Sequence, residues 1–100
     1  MEINEAQKTA GKIAREKGWW DDERENGTLI ALMHSELSEA LEADREGNLT
    51  GKDGVAEELA DTVIRILDFC DNKGIDLEQE VIEKMKINAD REFKHGGKKY

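Results

Sequence analysis

Across residues 55 to about 72, the apolar residues Val55, Ala56, Leu59, Ala60, Val63, Ile66, Leu67, Phe69 and Cys70 recur at helical spacing and cover more than half of a helix's circumference. A helix with so little polar surface has to be covered by neighbours, and it is expected to be the most buried element of the chain. Its remaining strip, Glu57, Glu58, Asp61, Arg65 and Asp68, is narrow. Part of that strip must then face water in a cleft, or the acidic face of an adjacent helix.

The other segments supply such neighbours. Asn4, with Gln7 three residues on, has the pattern of a helix start, and Ile3, Ala6, Ala10, Ile13 and Ala14 give a thin apolar face that Gly18 brings to a stop. Trp19 and Trp20 follow, then a polar connector over residues 21–27. A second helix is expected from about residue 28 to 46, then a loop over 47–52, with Asp53 or a neighbour capping the apolar helix. Lys73-Gly74 closes that helix, and Asp76 with Gln79 resembles a capping pair for a fourth, whose stripe is Leu77, Val81, Met85 and Ala89. Four helices of unequal length with short joins and no internal repeat predict an all-α bundle.

The chain is 100 residues long, with 24 acidic against 15 basic residues, a net charge of −9 and no proline. That length suits one helical domain, residues 1–100, with an adequate but not generous core that a symmetric partner would supplement. The overall field repels phosphate, which argues against a general binder of nucleic-acid polymers. Cys70 has no second cysteine to pair with and sits on an apolar face, as expected of a small core residue in a reducing cytoplasm. No stretch approaches the ~18 consecutive apolar residues of a membrane span. Met1-Glu2-Ile3-Asn4-Glu5 lacks the basic and apolar regions of a signal peptide, so the expected location is cytoplasmic, with no membrane partner.

Two carboxylate pairs stand out against that background. Ser35-Glu36-Leu37-Ser38-Glu39 and Glu58-Leu59-Ala60-Asp61 each place two acids three residues apart, on one helical face. With Leu29 set at zero on a helical wheel, Glu36 falls near ~340°, inside the arc of Leu29, Leu32, Met33, Ala40 and Ala43, while Glu39 lies at its margin near ~280°. If the two pairs face each other, four acids in a partly desolvated cleft raise one another's pKa values unless a cation binds among them. Oxygen-only ligands suit a hard cation, Mg2+ or Mn2+, better than zinc, and the Glu-x-x-His pairs of di-iron bundles are missing from both helices.

Lys84, Asn88 and Arg91 lie along one edge of the fourth helix at spacings of four and three. Such an edge can supply donors to the phosphate oxygens that usually complete a carboxylate-held Mg2+ shell. No Gly-x-x-x-x-Gly-Lys-Ser/Thr loop is present, which excludes a P-loop mechanism on motif grounds. Each element also has a plainer reading. An acidic pair in so acidic a chain is ordinarily solvated surface, Asp61 and Arg65 at four-residue spacing can form a surface ion pair, and His34 falls on the polar side. Trp19 and Trp20 read either as core or interface packing or as a stacking platform for a flat ligand. His95, in the basic tail 94–100, reads either as solvated or as a ligand contact.

These motifs resemble those of the MazG-like members of the all-α nucleoside triphosphate pyrophosphohydrolase superfamily, whose signature is Glu-Glu-x-x-Glu, a spacer, then Glu-x-x-Asp. The likeness runs from about Trp19 to the C-terminus and includes the Lys84 to Arg91 run and Lys94-His95-Gly96-Gly97-Lys98; it departs at Ser35, where the family has its first glutamate. The resemblance implies a four-to-five-helix bundle assembling as a dimer or tetramer. It implies Mg2+ held by Glu36, Glu39, Glu58 and Asp61, and phosphate or sugar contacts from Lys84, Asn88 and Arg91, with Trp19, Trp20, His95 and Lys98 as further substrate-binding candidates. The implied reaction is hydrolysis of an NTP or dNTP between the α- and β-phosphates to a monophosphate and pyrophosphate. Glu36 and Glu39 are the catalytic candidates, Glu39 orienting or deprotonating the water. Two rivals are a related enzyme specialised for dUTP, dCTP or phosphoribosyl-ATP, and a non-catalytic helical module that offers its acidic face to a basic partner.

Overall fold

The computed structural model describes residues 2–91. Four helices, α1 (Ile3–Glu16), α2 (Asn26–Arg45), α3 (Val55–Lys73) and α4 (Leu77–Ala89), make up the fold, with no strand among the described residues. His95, Lys98 and the rest of the basic tail lie outside them. None of these helices is long and apolar enough to cross a membrane.

The turns follow the local chemistry of the chain. Gly18 and Gly74 take left-handed backbone angles (φ +79° and +69°) where α1 and α3 end, a region that costs glycine nothing. Asp76 caps α4, its carboxylate accepting from the Gln79 amide at 3.1 Å. Between α2 and α3, Asn48 holds the loop: its Oδ1 accepts from the Gly51 amide and its Nδ2 donates to the Lys52 carbonyl, both at 2.9 Å. Gly54 is the N-cap residue of α3, while the Asp53 amide donates to the Glu57 carboxylate.

Asn4 and Gln7, whose spacing predicts a capping pair, are used differently. Helix α1 begins one residue before Asn4, and its cap residue Glu2 makes no side-chain cap bond. The Asn4 amide and its Nδ2 instead donate to the two carboxylate oxygens of Glu78 at 3.2 and 3.1 Å, and Gln7 Nε2 donates to the Ile75 carbonyl at 2.7 Å. An orphan amide of the α1 N-terminus is thus satisfied by an acid from α4, a favourable place for negative charge. Sequence spacing cannot separate a local cap from this long-range one.

Helix α3 is central, packed against α2 on one side and α1 on the other, while the main contact of α4 is with α1. The core is built of small residues: Ala10 and Ala14 from α1, Leu29, Ala40 and Ala43 from α2, Leu67 and Cys70 from α3. Alanines let the helix axes approach closely, but they bury little apolar area. The expectation that α3 is the most buried helix holds for its position and not for its surface. Leu59, Val63 and Ile64 remain exposed, Val63 by 52%, whereas Glu58 and Thr62 are buried. Two neighbours cover two faces, and the apolar circumference of α3 exceeds both. In α4 no residue is buried, and Met85 is 65% exposed. A radius of gyration of 16.2 Å, against about 13 Å for a compact chain of this length, matches so much open apolar surface.

The α1–α3 seam depends on Gly11. A Cβ there would stand 1.8 Å from Asp71 Oδ2 and 2.9 Å from Asp71 Cβ, and Asp71 is itself bound to Arg15 at 2.7 Å. Turning the carboxylate away relieves the first clash but not the second, so the helices must part. Replacing Gly11 with alanine gains about 1 kcal/mol of helix propensity and meets about 1–3 kcal/mol of overpacking, besides loss of the ion pair. The expected outcome is a net loss of about 1 kcal/mol, or roughly 4–8 °C in melting temperature, readable by thermal denaturation. An unchanged or higher melting temperature would show that the seam is looser than described.

Candidate metal centre

Glu36 and Glu39 lie one turn apart on α2, and Glu58 and Asp61 one turn apart on α3. Ala40 and Ala43 on the same stretch of α2 are buried, and this close approach of the two helices draws the acids together. One oxygen each from Glu36, Glu58 and Asp61 lie within 4.8 Å of one another. Glu39 lines the adjoining open cleft of about 530 Å³ together with Ser35, Glu42, Glu46, Asp53 and Glu58. Of the central three, Glu58 is buried, Glu36 half-buried and Asp61 exposed.

Burial and charge act on these groups in opposite directions. Glu58 is only 8% exposed, and its Oε2 is buried with no hydrogen-bond partner among the described residues. The neighbouring Glu39 carboxyl, aided by burial and then by Glu36, pushes Glu58 up to about 7 from an ordinary 4.5. Glu36 is held below the usual carboxylate range, chiefly by the Arg65 guanidinium, whose Nε donates to Glu36 Oε1 at 2.8 Å. An orphaned carboxylate oxygen facing other carboxylates has two ways to become satisfied, by taking a proton or by taking a cation.

The donor set fits a hard divalent cation. All the ligand atoms are oxygens, no cysteine or histidine takes part, and the separation is suitable: oxygens on opposite sides of an ion held at roughly 2.1–2.4 Å stand about 4.2–4.8 Å apart. Mg2+ and Mn2+ are among the ions such an oxygen-only set would fit.

The remaining candidates are placed elsewhere. Lys84 and Asn88 on α4, and Arg91 just beyond it, are exposed, and none of them lines the acidic cleft of the same chain. Trp19 and Trp20 part company. Trp19 is exposed, while Trp20 is half-buried, donates its indole N–H to Asp68 at 2.8 Å and lies under the Lys73 ammonium, 5.7 Å from the ring centre. Burial pushes the Asp68 carboxyl up despite that bond. Trp20 therefore serves packing at the α1–α3 end, and the Trp pair lines no part of the acidic cleft. His34 is exposed, as its place on the wheel predicts, and Cys70 is buried.

Arg65 departs from the plainer reading of its four-residue spacing and agrees with the reading that turns its strip to the acidic face of α2. It pairs across the helices with Glu36 and not along α3 with Asp61. The signal was present, since Glu58, Asp61, Thr62 and Arg65 at i, i+3, i+4 and i+7 form one stripe of α3, the stripe turned to α2. Glu42 and Glu46 continue the Glu39 face of α2 by the same rule and extend the acidic lining of the cleft. Comparison with protein-family models, with curated proteins and with solved structures gives no match to this chain.

Proposed function

We propose that this protein is a MazG-like, Mg2+-dependent nucleotide pyrophosphohydrolase, cleaving an NTP or dNTP between the α- and β-phosphates. The observation that carries this reading is the buried, unpartnered Oε2 of Glu58 beside the convergent oxygens of Glu36, Glu58 and Asp61. Glu36, Glu58 and Asp61, with Glu39 at their edge, are the residues that would hold Mg2+. When bound, the ion supplies neutralisation of phosphate charge and acidification of water.

The rest falls to the protein's own side chains. Glu39 is exposed on the cleft and has no ion-pair partner among the described residues, so its carboxylate is available to take the proton of the attacking water. Water oxygen joins the α-phosphorus, the bond to the α–β bridging oxygen breaks, and pyrophosphate leaves with the electron pair. Lys84, Asn88 and Arg91 bind phosphate or sugar from the α4 of a neighbouring copy, because their own α4 packs on α1. That arrangement makes the enzyme a homo-oligomer, dimer or tetramer, and the exposed Leu37, Leu41, Leu59 and Val63 on α2 and α3 offer apolar surface for it. Its place is the cytoplasm, where nucleotides and Mg2+ are both abundant.

The deciding experiment is a panel of NTPs and dNTPs incubated with purified protein and Mg2+, read by product analysis. A monophosphate and pyrophosphate in equal amounts are expected from at least one of them. Asp61→Asn should lower that turnover about a hundredfold or more and leave the melting temperature of the metal-free protein unchanged or slightly raised, because Asp61 is exposed, has no ion-pair partner among the described residues and adds to the like charge around Glu58. Orthophosphate with a diphosphate would overturn the cleavage position. No turnover, with no response of stability to Mg2+, would favour the helical interaction module.

A further inference from the structure

The acidic cluster already carries a cation of its own. Arg65 Nε donates to Glu36 Oε1 at 2.8 Å across the α2–α3 seam, with the guanidinium side chain 36% exposed and the Glu36 side chain 12% exposed. The pair is single: among the described residues only Nε is engaged, and the terminal nitrogens that form the strong two-point grip on a carboxylate have no protein acceptor. Glu39, Glu58 and Asp61 have no ion pair among the described residues. One guanidinium thus stands against four carboxyl groups, held by one bond and open on its outer side.

We infer that Arg65 is a displaceable internal counter-cation, which occupies Glu36 in the metal-free protein and is released into the cleft when a divalent cation takes that carboxylate. This rests on the metal-centre reading above and adds a role for a residue outside the ligand set. Two opposing effects are available to such an arginine. As an orienting partner it would hold Glu36 in a ligating position and favour metal binding. As a competing cation it disfavours metal, by repulsion and by using one of the two Glu36 oxygens. Competition prevails here, because the bond occupies one of the only two oxygens Glu36 can offer an ion, and a full positive charge beside a divalent ion at a half-buried carboxylate is poorly screened. Once released, the guanidinium has free terminal donors at the cleft and suits an anionic ligand better than it does an ion-bound carboxylate.

The test is Mg2+ and Mn2+ binding without nucleotide, by calorimetry, on the full-length wild type, Arg65→Gln and Arg65→Lys, with melting temperatures measured in chelator and in excess Mg2+. Arg65→Gln should lower the melting temperature in chelator, tighten the ion's Kd about tenfold and enlarge the stabilisation that Mg2+ gives. Arg65→Lys, which keeps the charge and is less demanding on folding, should fall between the two. It also provides the reading should the glutamine variant fail to fold, since a Kd tighter than wild type still supports displacement. If the wild type binds the ion and both variants bind it equally well or more weakly, Arg65 orients Glu36 and the inference is overturned while the metal centre stands. If the wild type binds no divalent ion, the metal centre itself is wrong and the inference falls with it.

Discussion

Glu58→Gln should raise the melting temperature of the metal-free protein near pH 8 and, at the same time, abolish both stabilisation by Mg2+ and turnover. Removing a buried group ordinarily destabilises, so the direction is diagnostic. Glu58 is buried beside Glu39 and Glu36 with an unpartnered oxygen, and at this pH it is largely ionised among like charges. Glutamine is nearly isosteric, carries no charge and offers two N–H donors to the carboxylates that repel its predecessor. The same change deletes an anionic ligand from the centre of the set. Turnover is expected to fall about a hundredfold or more, and the Mg2+-dependent rise in melting temperature to vanish. Thermal denaturation with and without chelator, alongside the pyrophosphate assay, measures all three. A variant less stable than the wild type in chelator would mean that Glu58 is satisfied by something other than a proton or a cation.

The metal-free protein should also become less stable as pH rises from about 5.5 to about 8, with Mg2+ cancelling the trend. In the folded chain Glu58 titrates at about 7, raised by Glu39, burial and Glu36, against an ordinary 4.5. The folded state therefore holds a proton that the unfolded chain has already released. That contribution is fully present below about 4.5 and is lost as pH climbs through about 7. Glu36 runs the other way: Arg65 holds it low, so its contribution is present above the ordinary value and disappears only as acid carries the pH down through its lowered one. Asp61 from α3, Glu39 from α2 and Arg65 are the remaining charges facing the pair, and Glu58 dominates between about 5.5 and 8. Saturating Mg2+ replaces the proton, and proton competition then weakens the ion's binding as pH falls. Melting curves across that range in chelator and in excess Mg2+ decide the matter. A chelated protein that gains stability towards pH 8 would overturn the assignment of Glu58.

Much of this architecture is legible in the residues. Periodicity places the helices to within a few positions, Asp76 and Gln79 mark a true cap, and Gly18 and Gly74 mark true stops, because each depends on neighbours within one turn. The convergence of Glu36, Glu58 and Asp61 is legible too, once the two helices that carry them are taken to be adjacent. What stays hidden depends on partners far along the chain. Asn4 and Gln7 have local capping spacing and long-range uses, and Arg65 chooses an acid 29 residues away over one four residues away. Glu58 is legible in part: the wheel turns the polar strip of α3 towards a cleft or an acidic neighbour, as found, but it does not show that this side is buried while apolar Leu59 and Val63 face outward. A wheel gives the angle between side chains, but not which angle points inward.

The bidentate hold of Glu78 on Asn4 and the Asp76 cap both act at the first turn of α4, and among the described residues no side-chain bond of that kind secures its last. Helices of 13 residues are marginal in water by themselves, so this one should fray from its far end in dilute solution. Its backbone amides beyond Ile82 should then exchange with deuterated solvent ahead of those in the other three helices, and slow as protein concentration rises and copies meet.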